Sequence, residues 1–247
     1  MKILLLDLEL APNLATVWSI WNQNIGINQL LDTGRVLCYT AQWYGTRDVI
    51  FDSEYDNLHP DMISNLWNLM DEADVIVHYN GDRFDIPVVN REFLLYGLPP
   101  PSSYKSVDLY QVIKKRFRFV SNKLDHVCKE LELGSKVQHE GHELWLKCMN
   151  GDSRAWKRME KYNRQDVKLL DKLYKRLLPW IPNHPNRNLY NTDNLRVVCP
   201  VCGSSHIIRN GIEHLKTRSY QRYRCSDCGA PMRDVKTIPN STVSITL

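Results

Sequence analysis

The sequence predicts an α/β domain, a mixed β-sheet flanked by helices, followed by a small metal-held module. Three observations predict it. Residues 1–10 form an almost continuous apolar run, the mark of a strand buried on both faces. Strand-like segments come first and then alternate with helical ones, which implies packed layers of sheet and helix. Two Cys-x2-Cys pairs, Cys199/Cys202 and Cys225/Cys228, follow near the C-terminal end.

The elements are justified in chain order. After the first strand, Val36–Tyr44 and Asp48–Asp52 read as two strands joined by a turn at Thr46–Asp48, a candidate hairpin. Pro60–Met70 is an expected helix, and Asp74–His78 a short strand rich in β-branched residues. Ile86–Tyr96 reads as a helix ended by Gly97 and the prolines at 99–101. Val107–Tyr110 leads into a basic helical stretch, and Leu124–Leu133 is a helix stopped by Gly134. Ala155–Leu178 is a long helix: Met159, Val167, Leu170, Leu173 and Leu177 keep helical spacing, and Pro179 ends it. The expected organisation is a domain at 1–182, a polar linker at 183–195, a cysteine module at 196–236 and a tail at 237–247.

The chain has 247 residues, 43% hydrophobic and 24% charged, which excludes collagen-like, coiled-coil and wholly disordered classes. A formal net charge of +4 permits a polyanionic partner without requiring one. No window reaches the roughly 18 uncharged apolar residues that a membrane span needs. Asp7 and Glu9 interrupt the apolar start before a signal-peptide core can form. The seven cysteines are odd in number, and Cys38, Cys128 and Cys148 lie singly among apolar neighbours. That is no secreted disulfide framework, so the expected location is cytoplasmic, with no membrane partner.

Asp7-Leu8-Glu9 is the oddest feature. Strand alternation points both carboxylates the same way. If the strand is buried there, they repel and lose hydration unless protonated, paired with Arg or bound to a divalent ion. The alternative is that the strand ends near Leu6 and Asp7 begins a loop. A second element, Asn80-Gly81-Asp82-Arg83-Phe84-Asp85-Ile86-Pro87, lies between a strand and a helix. There Asp85 either caps the helix or faces the first pair. In the third, Tyr162-Asn163-Arg164-Gln165-Asp166, Tyr162 and Asp166 share a helix face.

Together the three resemble the motifs Asp-x-Glu, Asn-x3-Phe-Asp and Tyr-x3-Asp of the DnaQ-like (DEDD) exonucleases on the ribonuclease H-like fold. Tyr rather than His in the last motif indicates the DEDDy subgroup. The stretch from Tyr79 to Pro87 is most similar to the proofreading domain of family B DNA polymerases. The resemblance covers about residues 1–180 and implies a free-standing nuclease of a kind common in phages. It implies 3′–5′ exonuclease activity on nucleic acid, with a single-stranded DNA 3′ end favoured and RNA an alternative. It also implies two Mg²⁺ or Mn²⁺ ions held by Asp7, Glu9, Asp85 and Asp166, with Tyr162 orienting the attacking water. Hard divalent ions prefer carboxylate oxygens, and a metal pair stabilises both the attacking and the leaving oxygen. Asn80 and Phe84 are expected to position the strand end.

Lys114-Lys115-Arg116-Phe117-Arg118-Phe119 interleaves cations with aromatics. Lys115, Arg116 and Arg118 suit phosphate contacts, although a solvated amphipathic helix has the same pattern. Asp108 reads as a helix cap or a further acid. His139-Glu140-Gly141-His142-Glu143 lacks the spacing of a metalloprotease helix and reads as a loop.

Cys199, Cys202, Cys225 and Cys228 form two knuckles, each followed by glycine, with twenty-two residues between them. Four thiolates suit a closed tetrahedral Zn²⁺ site, with iron the alternative, and the pattern resembles a zinc ribbon. Its cations, among them Arg209, Arg218, Arg222 and Arg224, suit a nucleic-acid grip; a replication or repair protein is the other candidate partner. The competing readings for the whole chain are an endonuclease or ribonuclease on the same fold, and a non-catalytic nucleic-acid-binding adaptor.

Overall fold

The computed structural model describes residues 1–190 and 197–239. The chain divides into two compact units, Lys2–Tyr174 and a second made of Met1 with the residues from Lys175 onward.

The first unit carries β1 (Ile3–Leu10), β2 (Leu14–Ala15), β3 (Leu30–Asp32), β4 (Val36–Trp43) and β5 (Val49–Ser53). There follow α1 (His59–Glu72), β6 (Val75–His78), α2 (Asp85–Leu95), β7 (Lys105–Asp108) and α3 (Leu109–Arg116). Last come α4 (Leu124–Glu130), α5 (His142–Met149) and α6 (Ser153–Leu177), the C-terminal turn of which passes the division between units. The main sheet has the order β5-β4-β1-β6-β7. β5, β4 and β1 are antiparallel neighbours, whereas β1, β6 and β7 run parallel. This is the expected mixed sheet flanked by helices.

Leucine spacing in β1 sets the two faces. Leu4, Leu6 and Leu8 pack with Met62, Ile63, Leu66 and Met70 of α1 and with Val89 and Phe93 of α2. Alternation puts Asp7 and Glu9 on the other face. There Leu37 and Cys38 of β4 pack with Leu144 and Cys148 of α5 and with Trp156, Met159 and Tyr162 of α6. Cys38, directly opposite Glu9 in the β1–β4 ladder, lies in that same cluster. The two carboxylates thus face α6.

The first strand runs past Leu6, as its apolar run predicts and against the alternative of an end there: Asp7 and Glu9 lie within β1, paired with Thr40 and Cys38. Several other sequence expectations change. Residues 105–108 form β7, because parallel pairing with β6 extends a segment whose own composition is weak. The basic stretch is not one helix; α3 stops at Arg116, where Lys114, Lys115 and Arg116 complement the helix C-terminus. α4 is shorter than expected, ending at Glu130. His142 and Glu143 open α5 instead of lying in a loop, since Leu144 and Cys148 bury against the sheet.

The second unit contains β8 (Ile207–His214), β9 (Ser219–Cys225) and β10 (Pro231–Arg233) in an antiparallel sheet of order β10-β9-β8. Ile238, placed in the tail by the sequence, bridges Ser219. Most of the assigned linker is described, but 191–195 lie outside the described residues, as does the tail beyond 239. Among the described residues no helix is long and apolar enough to cross a membrane.

Candidate active site and cysteine centre

The β1–β6 ladder runs from Ile3↔Val75 to its last rung, Leu5↔Val77. Beyond that rung the two strands part, and open α/β sheets place ligands at such a split. Asp7 and Glu9 lie on the free stretch. A bulge between Glu9 and Leu10 breaks the β4 ladder just past them.

α6 completes the site. Asn163 Nδ2 donates to Asp7 Oδ2 at 2.7 Å, tying the helix to the strand. One oxygen each of Asp7, Glu9 and Asp166 lies within 4.8 Å of the others. Three carboxylates this close repel strongly. Burial, with the charges of Asp166, Glu9 and Asp85, raises the Asp7 pKa well above the carboxylate range. Burial and Asp166 push Glu9 up to about 8, and burial also raises Asp166. Asp166 Oδ1 is buried without a hydrogen-bond partner among the described residues. These residues fit a hard divalent cation: oxygen donors converge, excess negative charge is left, and one buried lone-pair set is unused.

Lys136 is the cation the sequence reading missed. Its Nζ lies 2.6 Å from Asp166 Oδ2 and 3.1 Å from the Tyr162 hydroxyl. Nothing in its local spacing singles it out; it arrives on the loop after α4. Asn163 was also missed, yet it sits inside the Tyr162–Asp166 motif, three residues before the acid. Tyr162 is walled by His139 and Trp145, with ring centroids 4.6 Å and 6.1 Å away. Burial and the charge of Glu9 raise its pKa further above the ordinary phenol value, so the hydroxyl stays protonated.

Asp85 stands apart. It is the first residue of α2, behind Phe84 at the cap position. It falls outside the three-carboxylate group, although its charge is felt by Asp7 and Glu9. Burial lifts its own pKa to about 6. Asn80 takes a positive φ of 66°, a conformation asparagine tolerates, and its N–H donates to Asp108 Oδ1 at 2.8 Å. Asp108 also accepts from Tyr110 N, so it is the cap of α3. Phe84 is half exposed, with the Arg83 guanidinium 5.4 Å from its ring centroid.

A cavity of about 510 Å³ opens on Asp7, lined by Tyr79, Asn80, Tyr110, Asn122, Lys123 and Lys136 among others. Lys115, Arg116 and Arg118 are exposed on or beyond the end of α3 and do not line it.

The loop holding Asp85 depends on Gly81. A Cβ there would lie 2.7 Å from His78 Cγ and Nδ1 and 3.1 Å from Asp85 Oδ2. The His78 ring cannot yield, because Nδ1 accepts from Gly81 N and Nε2 lies 2.8 Å from Ser106 Oγ. Gly81→Ala is expected to destabilise by about 1–3 kcal/mol through overpacking and to lower any activity that uses Asp85. Thermal melting and turnover check this; an unchanged melt contradicts it.

In the second unit, Sγ atoms of Cys199, Cys202, Cys225 and Cys228 lie within 4.8 Å of one another and all four thiols are free. Cys199–Cys228 and Cys202–Cys225 are 3.7 Å and 3.6 Å apart. Gly203 and Gly229 take positive φ of 82° and 78°, which lets their N–H groups close on the Cys199 and Cys225 carbonyls. Burial raises the Cys225 thiol, but N–H groups of Cys228 and Asp227 outweigh it and bring the value to about 7. This cluster could hold a metal ion, and its setting is compatible with a zinc ribbon.

The sequence matches the RNase_H superfamily (RNase_H_2) over residues 35–178, more than half of the chain. No curated protein matches it. Among solved structures, the family B DNA polymerase of the hyperthermophilic archaeon Pyrobaculum calidifontis is similar, with TM-score 0.54 and 19% identity. That likeness covers 72% of this chain and 24% of the polymerase chain, so the chain spans about a quarter of its length. With the mixed sheet, the carboxylates on β1 and the acid on the last long helix described above, the matched region establishes that the chain belongs to the RNase_H superfamily.

Proposed function

We propose that this protein is a metal-dependent nuclease that removes nucleotides from the 3′ end of a nucleic-acid strand, DNA favoured. The observation that carries the reading is the convergence of Asp7, Glu9 and Asp166, with Asp7 also on the wall of a nucleotide-sized cavity. Its volume falls in the ~300–1,000 Å³ range of small-ligand pockets. Superfamily membership supports nuclease chemistry in general; the 3′–5′ polarity rests on the motif resemblance.

Asp7, Glu9 and Asp166 would hold Mg²⁺ or Mn²⁺, with Asp85 assisting a second ion from its more distant position. The ions supply charge neutralisation on the phosphate and an acidified water. The chain's own groups do the positioning. Asn163 fixes the Asp7 rotamer. Lys136 ties Asp166 to Tyr162. The protonated Tyr162 hydroxyl orients the attacking water as a donor or acceptor and does not remove its proton. Asn80 and Lys123, on the cavity wall, would contact a strand end entering it, and half-exposed Phe84, before α2, would help position that end. Lys115, Arg116 and Arg118 would touch phosphates farther along.

In the cysteine module, a tetrahedral ion with ~2.3 Å bonds to sulfur has edges near 3.8 Å. The sulfur separations match that, which supports structural Zn²⁺. Arg222, Arg224 and Arg233 are exposed and lie on one face of the β9–β10 pair, by register. They suit a phosphate backbone better than a replication or repair protein.

End-labelled single- and double-stranded DNA and RNA, incubated with Mg²⁺, Mn²⁺ or EDTA beside Asp7→Ala, test the reading. Stepwise metal-dependent shortening from the 3′ end supports it. Internal cuts would make the protein an endonuclease, and binding without cleavage an adaptor.

The carboxylates also set a pH dependence. The folded, metal-free protein holds the Glu9 proton up to about 8, against an ordinary value of 4.5. It binds more protons than the unfolded chain between those values, so its stability falls as pH rises through that window. His59, raised to about 9 by Glu54 and Glu92, acts in the same direction. Glu9→Gln is expected to flatten the Glu9 part alone and saturating Mg²⁺ to offset it; melts at several pH values with EDTA check both.

A further inference from the structure

Between Glu9 and β4 the chain leaves the sheet in an excursion that the acid site does not use. Its base is pinned: Ala11 N donates to the Arg35 carbonyl at 2.8 Å, and Arg35 binds Asp32 and Glu54 at 2.6 Å and 2.8 Å. β2 and β3 pair above that base. Beyond the pairing, Trp18 is 98% and Trp21 78% exposed, and Ile20 and Ile27 are exposed as well. From Pro12 to Leu31 there is no charged residue, and the apolar side chains alternate with Ser19, Asn22, Gln23 and Asn24.

We infer that Trp18 and Trp21 are a stacking platform for unpaired bases of the strand whose end lies at the acid site. Three observations fix this occupant. The excursion departs from the same end of β1 as the carboxylates; at about 3.3 Å per strand residue, Ala11 lies within roughly 13 Å of Asp7. Uncharged aromatics among amides and hydroxyls fit base faces and edges, which carry no charge, and place no acid against phosphates. The base of the excursion is held by the Arg35 ion pairs while Trp18 and Trp21 are left 98% and 78% exposed, so two indole faces stay open to bases. This inference rests on the nucleic-acid reading of the site, and it assigns grip to the platform and chemistry to the acids.

The test separates the two. In the full-length Asp7→Asn protein with EDTA, a fluorescent single-stranded oligonucleotide of about 12 nucleotides, within the ~4–16 that such grips cover, is titrated by anisotropy. Trp18→Ala/Trp21→Ala is expected to weaken binding about 30-fold or more, and Trp18→Phe/Trp21→Phe to recover most of it. With Asp7 intact, the Ala pair should raise KM for the oligonucleotide and leave hydrolysis of a dinucleotide unchanged. Equal oligonucleotide affinity in the Ala pair overturns the platform while stepwise cleavage leaves the nuclease standing. Loss of dinucleotide hydrolysis or of thermal stability in the Ala pair makes the tryptophans structural and also overturns it. Tryptophan-dependent binding by a protein that cuts nothing sinks the nuclease reading and supports the platform.

Discussion

Asp7→Asn is expected to abolish nucleic-acid hydrolysis, by about 10³-fold or more in turnover, while raising the melting temperature of the metal-free protein. The two effects share one cause. Asp7 is raised well above the carboxylate range because burial, Asp166, Glu9 and Asp85 all disfavour its charge, and only Lys136 among the principal influences opposes them. Asparagine keeps the size and can still meet Asn163, whose Nδ2 now binds Asp7 Oδ2. It removes a carboxyl whose ionised form the folded site disfavours, so the fold gains. A divalent ion loses a charged oxygen ligand, so transition-state stabilisation worth several kcal/mol goes with it. Calorimetric metal titration, melting in EDTA and turnover on labelled DNA report the three consequences. A variant that keeps turnover would remove Asp7 from the chemistry. One that melts lower in EDTA would show that the carboxylate is satisfied by bonds other than those to a cation.

The second large effect is expected from Cys225→Ser. The apolar cluster of that module consists of Cys199, Cys225 and Ala230, with Val201 and Met232 half covered. So small a core does not offset the chain entropy of ordering some forty residues. Structural zinc is worth about 10–16 kcal/mol in comparable small modules, so an ion held by these four thiolates would stabilise the fold more than the core does. Losing one thiolate should therefore release the metal and open β8, β9 and β10 together. Limited proteolysis of the full-length variant should cut within 197–239 and spare 2–174. Zinc content should fall to background, and dinucleotide hydrolysis should persist. Loss of that hydrolysis, or a protease-resistant variant without metal, would contradict the account.

Legibility from the sequence followed the range of the signal. β1 could be read from its leucines, and the faces of β1 followed from alternation alone. α6 could be read from helical spacing, and the knuckles from four cysteines and two glycines. All of these are local periodicities or spacings. β7 and α5 could not be read, because neither has much pattern of its own. One exists through parallel pairing with β6 and the other through burial of Leu144 and Cys148 on the sheet. Asp85 looked like a fourth member of a cage, since sequence order carries no distance.

By itself, then, the sequence determined the type of fold, the acids on β1 and α6 that could meet, and a four-thiolate site. Only the tertiary structure decided that Asp7, Glu9 and Asp166 share one small volume and that Asp85 stands back from it. It alone decided that Lys136 is the cation among them and that Trp18 and Trp21 remain in solvent. The physical reason is the length scale of the cause. Periodicity and ligand spacing act within a few turns of chain, whereas charge crowding and exposure depend on residues that only folding brings together.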